Sequence, residues 1–428
     1  MRPHREPAAS GQDIESDPKA AGEELDRLIA GALKLNPDLI AKLAETRAQY
    51  NKIAPAGMPD DPAFGFQLKD MPTTFSFTRE NATEKQIVAQ ATYPFPGKLT
   101  LRRNVAQRQA ELTREDLHAA MQHLATQVRS AFADVFVAGK DLQLESEHRA
   151  RLTNFAAIAA AKYRVGPGLQ QDVLNADAAV ASVDSRLIAL RRVRLSRETV
   201  IAVLLDRDRV KIPPLGELPD LALIGGEAGL ERLALAANPA ILRQAKAVER
   251  DQQALELARK SALPDFTVQF RYGSRNDFTH PETGKPDTVR PDLMTGEIMM
   301  TVPVFYYSKQ REQIDEAAAN LARSRAHLAA ARRAILDGLQ DLFARLNQHR
   351  QVAESYRSEV IPLAQTAVAA SISAYQVDQV DFLTMLKAQD TLDEDRAQYW
   401  RERAEVFRDS ALLQEAAGTA PPAAGWNP

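Results

Sequence analysis

The chain has 428 residues, 54 Lys plus Arg against 57 Asp plus Glu, a formal net charge of −3, and no cysteine. This balance argues against a nucleic-acid protein, which carries a basic excess or stripe. The missing thiols exclude disulfide staples, thiol catalysis and cysteine-ligated metals. Apolar residues make up 45% of the chain, yet no apolar run reaches the roughly 18 residues of a membrane helix. Composition alone describes a large, soluble, Ala-rich helical protein.

In chain order, residues 1–24 are polar and broken by Pro3, Pro7 and Pro18. They are expected to be disordered, and they lack the basic start and apolar stretch of a secretory signal. A helix of about 25 residues follows, with Leu28, Leu35, Leu39 and Leu43 as its apolar stripe and Asn36-Pro37 inside it. A β-hairpin is expected over 72–94. Thr74 to Thr78 alternates through Phe75 and Phe77, and a second run alternates through Ile87, Ala89, Ala91 and Tyr93. Beyond Pro94-Phe95-Pro96-Gly97-Lys98, the stretch Lys98 to Tyr163 contains no Pro and only Gly139. It is dominated by strong helix formers, and as one helix it would run about 100 Å at 1.5 Å per residue. Gly166 and Gly168 suit a chain reversal after Tyr163-Arg164-Val165. A return helix then completes a long hairpin over 98–205, and 206–230 reads as a linking segment.

The second half repeats the first. Asn238-Pro239 recurs for Asn36-Pro37, with a stripe of Leu233, Ile241, Val248 and Leu255 around it. Leu263-Pro264-Asp265-Phe266 aligns loosely with Met71-Pro72-Thr73-Thr74-Phe75, and Pro303-Val304-Phe305 followed by Lys309 aligns with the Pro-Phe-Pro-Gly-Lys turn. The clearest match sets Tyr163-Arg164-Val165-Gly166, leading to Leu174-Asn175-Ala176, against Tyr375-Gln376-Val377-Asp378, leading to Leu386-Lys387-Ala388. Four such pairs in one order define tandem repeats over 25–205 and 231–415. The second β-hairpin is expected over 264–304. Phe266 to Tyr272 alternates without fault, Gly273 to Pro291 reads as an exposed loop, and Glu297 to Val304 is a less clean strand. A helical hairpin follows over 308–415, kinked at Pro362. Residues 416–428 are expected to be a disordered tail.

Four amphipathic strands are too few for a membrane barrel, which needs about eight, and open edges are not tolerated in a bilayer. The strands therefore call for an oligomer that closes a shared barrel.

The tandem repeat, the Asn-Pro openings, the Pro94–Lys98 turn and the two Tyr-x-Val tips together resemble the outer-membrane factor (TolC-like) family of tripartite efflux systems, over roughly 30–413. The resemblance implies a mainly α protein with a small β part: a homotrimer whose four strands per chain build a twelve-stranded barrel in outer-membrane lipid, above a periplasmic α-barrel. It implies a passive duct served by a periplasmic adaptor and an inner-membrane efflux transporter. The junction at Lys98 and the run Val380-Asp381-Phe382-Leu383 look closer to the heavy-metal cation (CzcC-like) branch than to the secretion branch. The implied tip and gate residues are Tyr163, Gly166, Asp172, Tyr375, Asp378, Asp381, Thr384 and Lys387. Val165, Gly166, Leu169, Val377 and Val380 would meet the adaptor. Many drug-exporting relatives carry acidic residues where this chain has Thr384 and Lys387, so a ring of charge there would fall to Asp378 and Asp381 instead. Asp378 also stands where the first repeat has Gly166.

No phosphate loop, nucleophile elbow or His-Glu-x-x-His motif is present. His118 and His123, five apart, face different sides of a helix. No enzyme activity, cofactor, metal site or nucleic-acid partner is expected. A periplasmic adaptor also carries a helical hairpin, but only one. A soluble coiled-coil scaffold would have no use for the alternation at Phe266 to Tyr272.

Overall fold

The computed structural model describes residues 18–73, 75–78, 82–166, 168–223, 225–280, 282–287, 291–377 and 379–419. In chain order the elements are α1 (Pro18–Leu35), α2 (Pro37–Asn51), a single turn α3 (Ile53–Ala56), β1 (Ala63–Lys69), β2 (Glu84–Tyr93), α4 (Lys98–Val165), α5 (Gln170–Leu204), α6 (Gly226–Ala237), α7 (Pro239–Ser261), β3 (Phe266–Arg275), β4 (Phe278–Thr279), β5 (Pro286–Asp287), β6 (Leu293–Met300), α8 (Arg311–Ser355), α9 (Ile361–Gln376) and α10 (Phe382–Ala416). Two π-helical turns, Tyr306–Gln310 and Tyr356–Val360, precede α8 and α9.

The chain divides into two compact units that cut across the tandem repeats. One collects Met1–Ala44, Asp116–Leu242 and Ala331–Pro428, and the other Glu45–Glu115 and Arg243–Ala330. Each therefore draws on both repeats.

In the first unit, one core gathers Leu25, Leu28 and Ile29 of α1, Val128, Phe132 and Phe136 of α4, Ile201 of α5, and Ala404 and Phe407 of α10. A second core joins both hairpins: Leu152 and Phe155 of α4, Val183 and Leu187 of α5, Tyr375 of α9, and Phe382 and Met385 of α10. Both Asn-Pro pairs work alike. Each proline opens a new helix, where its missing N–H costs nothing. Each asparagine caps that helix: Asn36 Oδ1 accepts from Leu39 N–H at 3.1 Å, and Asn238 Oδ1 from Ala240 N–H at 2.9 Å. Each amide nitrogen then donates to the end of its own repeat's return helix, Asn36 to Leu204 O at 3.2 Å and Asn238 to Ala416 O at 2.8 Å. Each asparagine is thus a two-sided clamp.

The second unit holds an antiparallel sheet in the order β1-β2-β3-β6, so β2–β3 joins the repeats and β1 and β6 are the outer edges. A separate two-stranded ribbon pairs β4 with β5.

The expected kink at Pro362 takes the form of a π-turn just before α9. The stretch Lys309 to Tyr375 holds one residue more than Lys98 to Tyr163, and a π-turn absorbs one extra residue in a helix. Pro362, with no N–H to give, falls at the restart.

Several expectations are corrected. The first strand is Ala63–Lys69, outside the hairpin expected over 72–94. Residues 75–78 form no strand, because Phe75 sits at φ +52° and its N–H closes a turn on Pro72 O at 2.9 Å; Thr74 lies outside the described residues. The repeat partner of Leu263-Pro264-Asp265 is therefore Met58-Pro59-Asp60, which leads into β1, and not Met71-Pro72-Thr73. Of the N-terminal segment expected to be disordered, residues 18–24 are the first turns of α1, and Ala21 is buried. Of the tail expected to be disordered from 416, Ala417 is buried and its N–H bonds to Leu413 O, and residues 420–428 lie outside the described residues. The expected loop 273–291 carries the end of β3 and the β4–β5 ribbon.

Candidate functional site

At the hairpin tip, α4 ends where its carbonyls need partners. Gly166, at φ +111°, donates to Lys162 O at 3.2 Å, and Gly168 N–H reaches the same oxygen at 3.2 Å. A side chain on Gly166 would meet nothing within 4 Å, but one on Gly168 would sit 2.4 Å from Tyr163 N. Gly166 thus serves a left-handed turn, and Gly168 serves close backbone approach.

The two tip tyrosines differ. Tyr375 is 4% exposed, its ring packed edge-on against Phe382 at 5.8 Å. Its hydroxyl donates to Asp172 Oδ2 at 3.2 Å, linking the second hairpin to the first. Lys162 closes the group, donating to Tyr375 O at 2.7 Å with its ammonium 4.4 Å from the ring centroid. Tyr163 is 48% exposed and takes no part in this core. Asp381 caps α10, accepting from Thr384 N–H at 2.8 Å. Hydrogen bonds from the Thr384 side chain and then its N–H hold the Asp381 carboxyl below the usual carboxylate range. Thr384 and Lys387 are exposed on the first turns of α10, and Asp378 lies outside the described residues. Val165, Leu169 and Val377 are exposed, as is Gly166, whereas Val380 packs against the tip core. The structure thus joins Asp172 with Tyr375, and Asp381 with Thr384. It leaves Tyr163 and Lys387 apart from both pairs.

The sheet supplies the second functional surface. Directly paired residues share a face, and the register sorts the strands cleanly. Phe64, Ala89 and Phe270 form one row, and Phe66, Ile87, Tyr272 and Met294 the next. The opposite face carries Gln90, Gln269 and Glu297 in one row and pairs Thr92 with Thr267, whose hydroxyls lie 3.1 Å apart. Arg271 bonds both Gln269 and Glu297 on that polar face. Phe64 and Ile298 are 79% and 75% exposed, so the apolar face is uncovered in one chain.

Below the sheet, the Pro94–Lys98 turn is stapled from the side. Gly97 takes φ +89°, and the buried Lys98 ammonium donates to Leu263 O at 2.6 Å and Asp265 Oδ1 at 2.8 Å. The same carboxylate accepts from Phe95 N–H at 2.8 Å.

Sequence reasoning missed one polar cluster along the hairpins. His148 of α4, with a side chain 4% exposed, bonds Asp393 of α10 at 2.6 Å. Arg151 and Gln389 share that carboxylate. Burial pushes Asp393 up, but hydrogen bonds from His148, Arg151 and Gln389 outweigh it and hold the carboxyl below its ordinary value. Nearby Asp141 and Asp390 are pushed up by burial, against opposing charge from Arg401 and His148. Asp141, His148, Asp390, Asp393 and Arg401 border a cavity of about 480 Å³. Among the described residues, no set of three or more His, Asp or Glu is placed to hold a metal ion, and no helix is long and apolar enough to cross a membrane.

Known proteins share this fold. The family described as outer membrane efflux protein matches residues 28–205 and 230–419. The solved structure of CusC superposes at TM-score 0.75 with 14% identity, over 96% of this chain and 95% of that one. VceC from Vibrio cholerae superposes at 0.71 with 18% identity, over 92% and 96%. The open state of MtrE from Neisseria gonorrhoeae superposes at 0.73 with 14% identity, over 92% and 89%. No curated protein sequence matches the chain. Two helical hairpins in tandem, joined to a small antiparallel sheet, are the fold of outer-membrane channels. The chain belongs to the outer membrane efflux protein family and is an outer-membrane efflux duct.

Proposed function

We propose that three copies of the chain assemble in the outer membrane as the exit duct of a tripartite pump. The carrying observation is the four-stranded sheet, which has one apolar face, one polar face and two open edges. Each copy gives four strands, and three copies close a twelve-stranded barrel with Phe64 and Phe66 toward lipid and Gln90, Gln269 and Glu297 toward the lumen. The helical hairpins extend into the periplasm as a passive conduit, and an inner-membrane transporter supplies the energy. The exposed Val165, Gly166, Leu169 and Val377 support docking of the periplasmic adaptor at the tip. The Tyr375–Asp172 bond holds the hairpins together in a closed aperture.

The Pro94–Lys98 junction and the Val380–Leu383 turn favour heavy-metal cations as cargo. Asp381, ionised and repeated around a three-fold axis, would attract them, and Asp378, three residues earlier in the sequence, would add to the ring. The assembly is tested by expressing the chain behind a signal peptide, fractionating membranes and sizing the detergent extract. A heat-sensitive outer-membrane trimer is expected, and a soluble monomer would overturn the reading. The charge ring is tested with Asp381→Asn, which can still cap α10, by single-channel recording of cation preference. Unchanged preference would retire the ring.

A further inference from the structure

The staple between Lys98 and Asp265 appears once in the chain, whereas the asparagine clamp appears in both repeats. Lys98 leaves β2 of the first repeat, and Asp265 enters β3 of the second, its neighbour in the sheet. The clamps of Asn36 and Asn238, by contrast, close within their own repeats and so both occur inside one chain. A contact that runs from repeat one to repeat two has a counterpart that runs from repeat two to repeat one. In a ring of copies that counterpart lies between chains.

Both halves of the missing staple are present and unused. Lys309 follows β6 at the position equivalent to Lys98, and Asp60 follows Pro59 ahead of β1 as Asp265 follows Pro264. β6 and β1 are the two open edges of the sheet. Lys309 and Asp60 are both exposed, and among the described residues neither makes an ion pair. The second junction runs two residues longer between its proline and its lysine, and the π-turn Tyr306–Gln310 falls there.

We propose that Lys309 pairs with Asp60 of the partner subunit, repeating between copies the staple that Lys98 and Asp265 make within one; this rests on the trimeric duct proposed above. Its role is to set register. Main-chain bonds alone let two edge strands slip by a residue pair. A lysine that must meet one carboxylate beside the strand ends selects a single alignment, because charge complementarity favours one register and penalises others. Closure of the ring would also cover the pair, as Lys98 is covered.

The chain has no cysteine, so the test is clean. Lys309→Cys and Asp60→Cys are combined in one chain, produced in the outer membrane, and treated with a short bismaleimide. Crosslinked species of two and three chains are expected on a denaturing gel, with neither single variant forming them. In parallel, Lys309→Glu should lower the temperature at which the detergent-extracted oligomer dissociates, and adding Asp60→Lys should restore it. An oligomer of the right size that gives no interchain crosslink, or in which the second charge reversal deepens the first, overturns the pairing and leaves the duct standing. An unmodified chain that is monomeric in detergent overturns both.

Discussion

The hydroxyl of Tyr375 donates to Asp172 across 3.2 Å, so the end of α9 is tied to the first turn of α5. It is a single hydrogen bond to a carboxyl oxygen at the rim of a shared core, and such a bond contributes about 1–3 kcal/mol. Tyr375→Phe keeps the ring against Phe382 and removes only the bond. If the tip is the aperture, this variant should raise open probability roughly tenfold or more, since about 1.4 kcal/mol is a factor of ten. Single-channel recording reads this directly, and Asp172→Asn should produce a smaller effect because an amide still accepts.

The two asparagine clamps allow a paired measurement. Asn36→Ala and Asn238→Ala each remove a helix cap, which costs about 1 kcal/mol. Each also strands the terminal carbonyl of a return helix, Leu204 or Ala416. A loss of roughly 1–3 kcal/mol per variant is expected, read as a fall in thermal midpoint. The sites share no partners, so the double variant should show the sum of the two losses.

The tip glycines should respond differently to the same change. Gly166→Ala places a side chain in open space but at φ +111°, at a cost of about 1–3 kcal/mol in backbone strain. Gly168→Ala drives a methyl to 2.4 Å from Tyr163 N, where backbone must move. We expect Gly166→Ala, which strains the turn and adds a methyl on the proposed docking surface, to weaken adaptor binding modestly and to destabilise the tip modestly. Gly168→Ala should abolish adaptor binding while the thermal midpoint of the body changes little. Pull-down with the cognate adaptor alongside a melting curve separates the two.

These sites also show what the sequence could reveal. The long helices were legible because Lys98 to Tyr163 offers no proline and one glycine, and β3 because Phe266 to Tyr272 keeps a strict period of two. β1 was hidden by its own composition. Gly65 interrupts the polar positions between Phe64 and Phe66, and the nearby Thr74–Thr78 shows a better period that a turn at Phe75 defeats. The misplaced strand carried the repeat alignment with it, and so hid the likeness of Asp60 to Asp265. The tip motifs were visible as repeats, but their roles were not. Equal tyrosines at Tyr163 and Tyr375 end up exposed and buried because burial depends on what the opposite hairpin presents. The His148–Asp393 contact joins residues 245 apart in sequence, with no local pattern to announce it.

That contact makes stability depend on acid. Asp393 has its carboxyl held below the ordinary value in the folded chain. Its contribution is therefore complete above the unfolded carboxylate range, near 3.9, and is lost as pH falls through the lower folded value. The groups facing it are His148 and Arg151 from α4 and Gln389 and Asp390 from α10. Asp393→Asn leaves the buried His148 and the partly exposed Arg151 with a weaker acceptor and should cost about 1–3 kcal/mol at neutral pH. The gap between variant and unmodified chain should hold from pH 7 down to about 5 and close toward pH 3 and below. Thermal melts across that range provide the check, and a gap that persists undiminished at pH 3 and below would show that Asp393 is not the group holding α10 to α4.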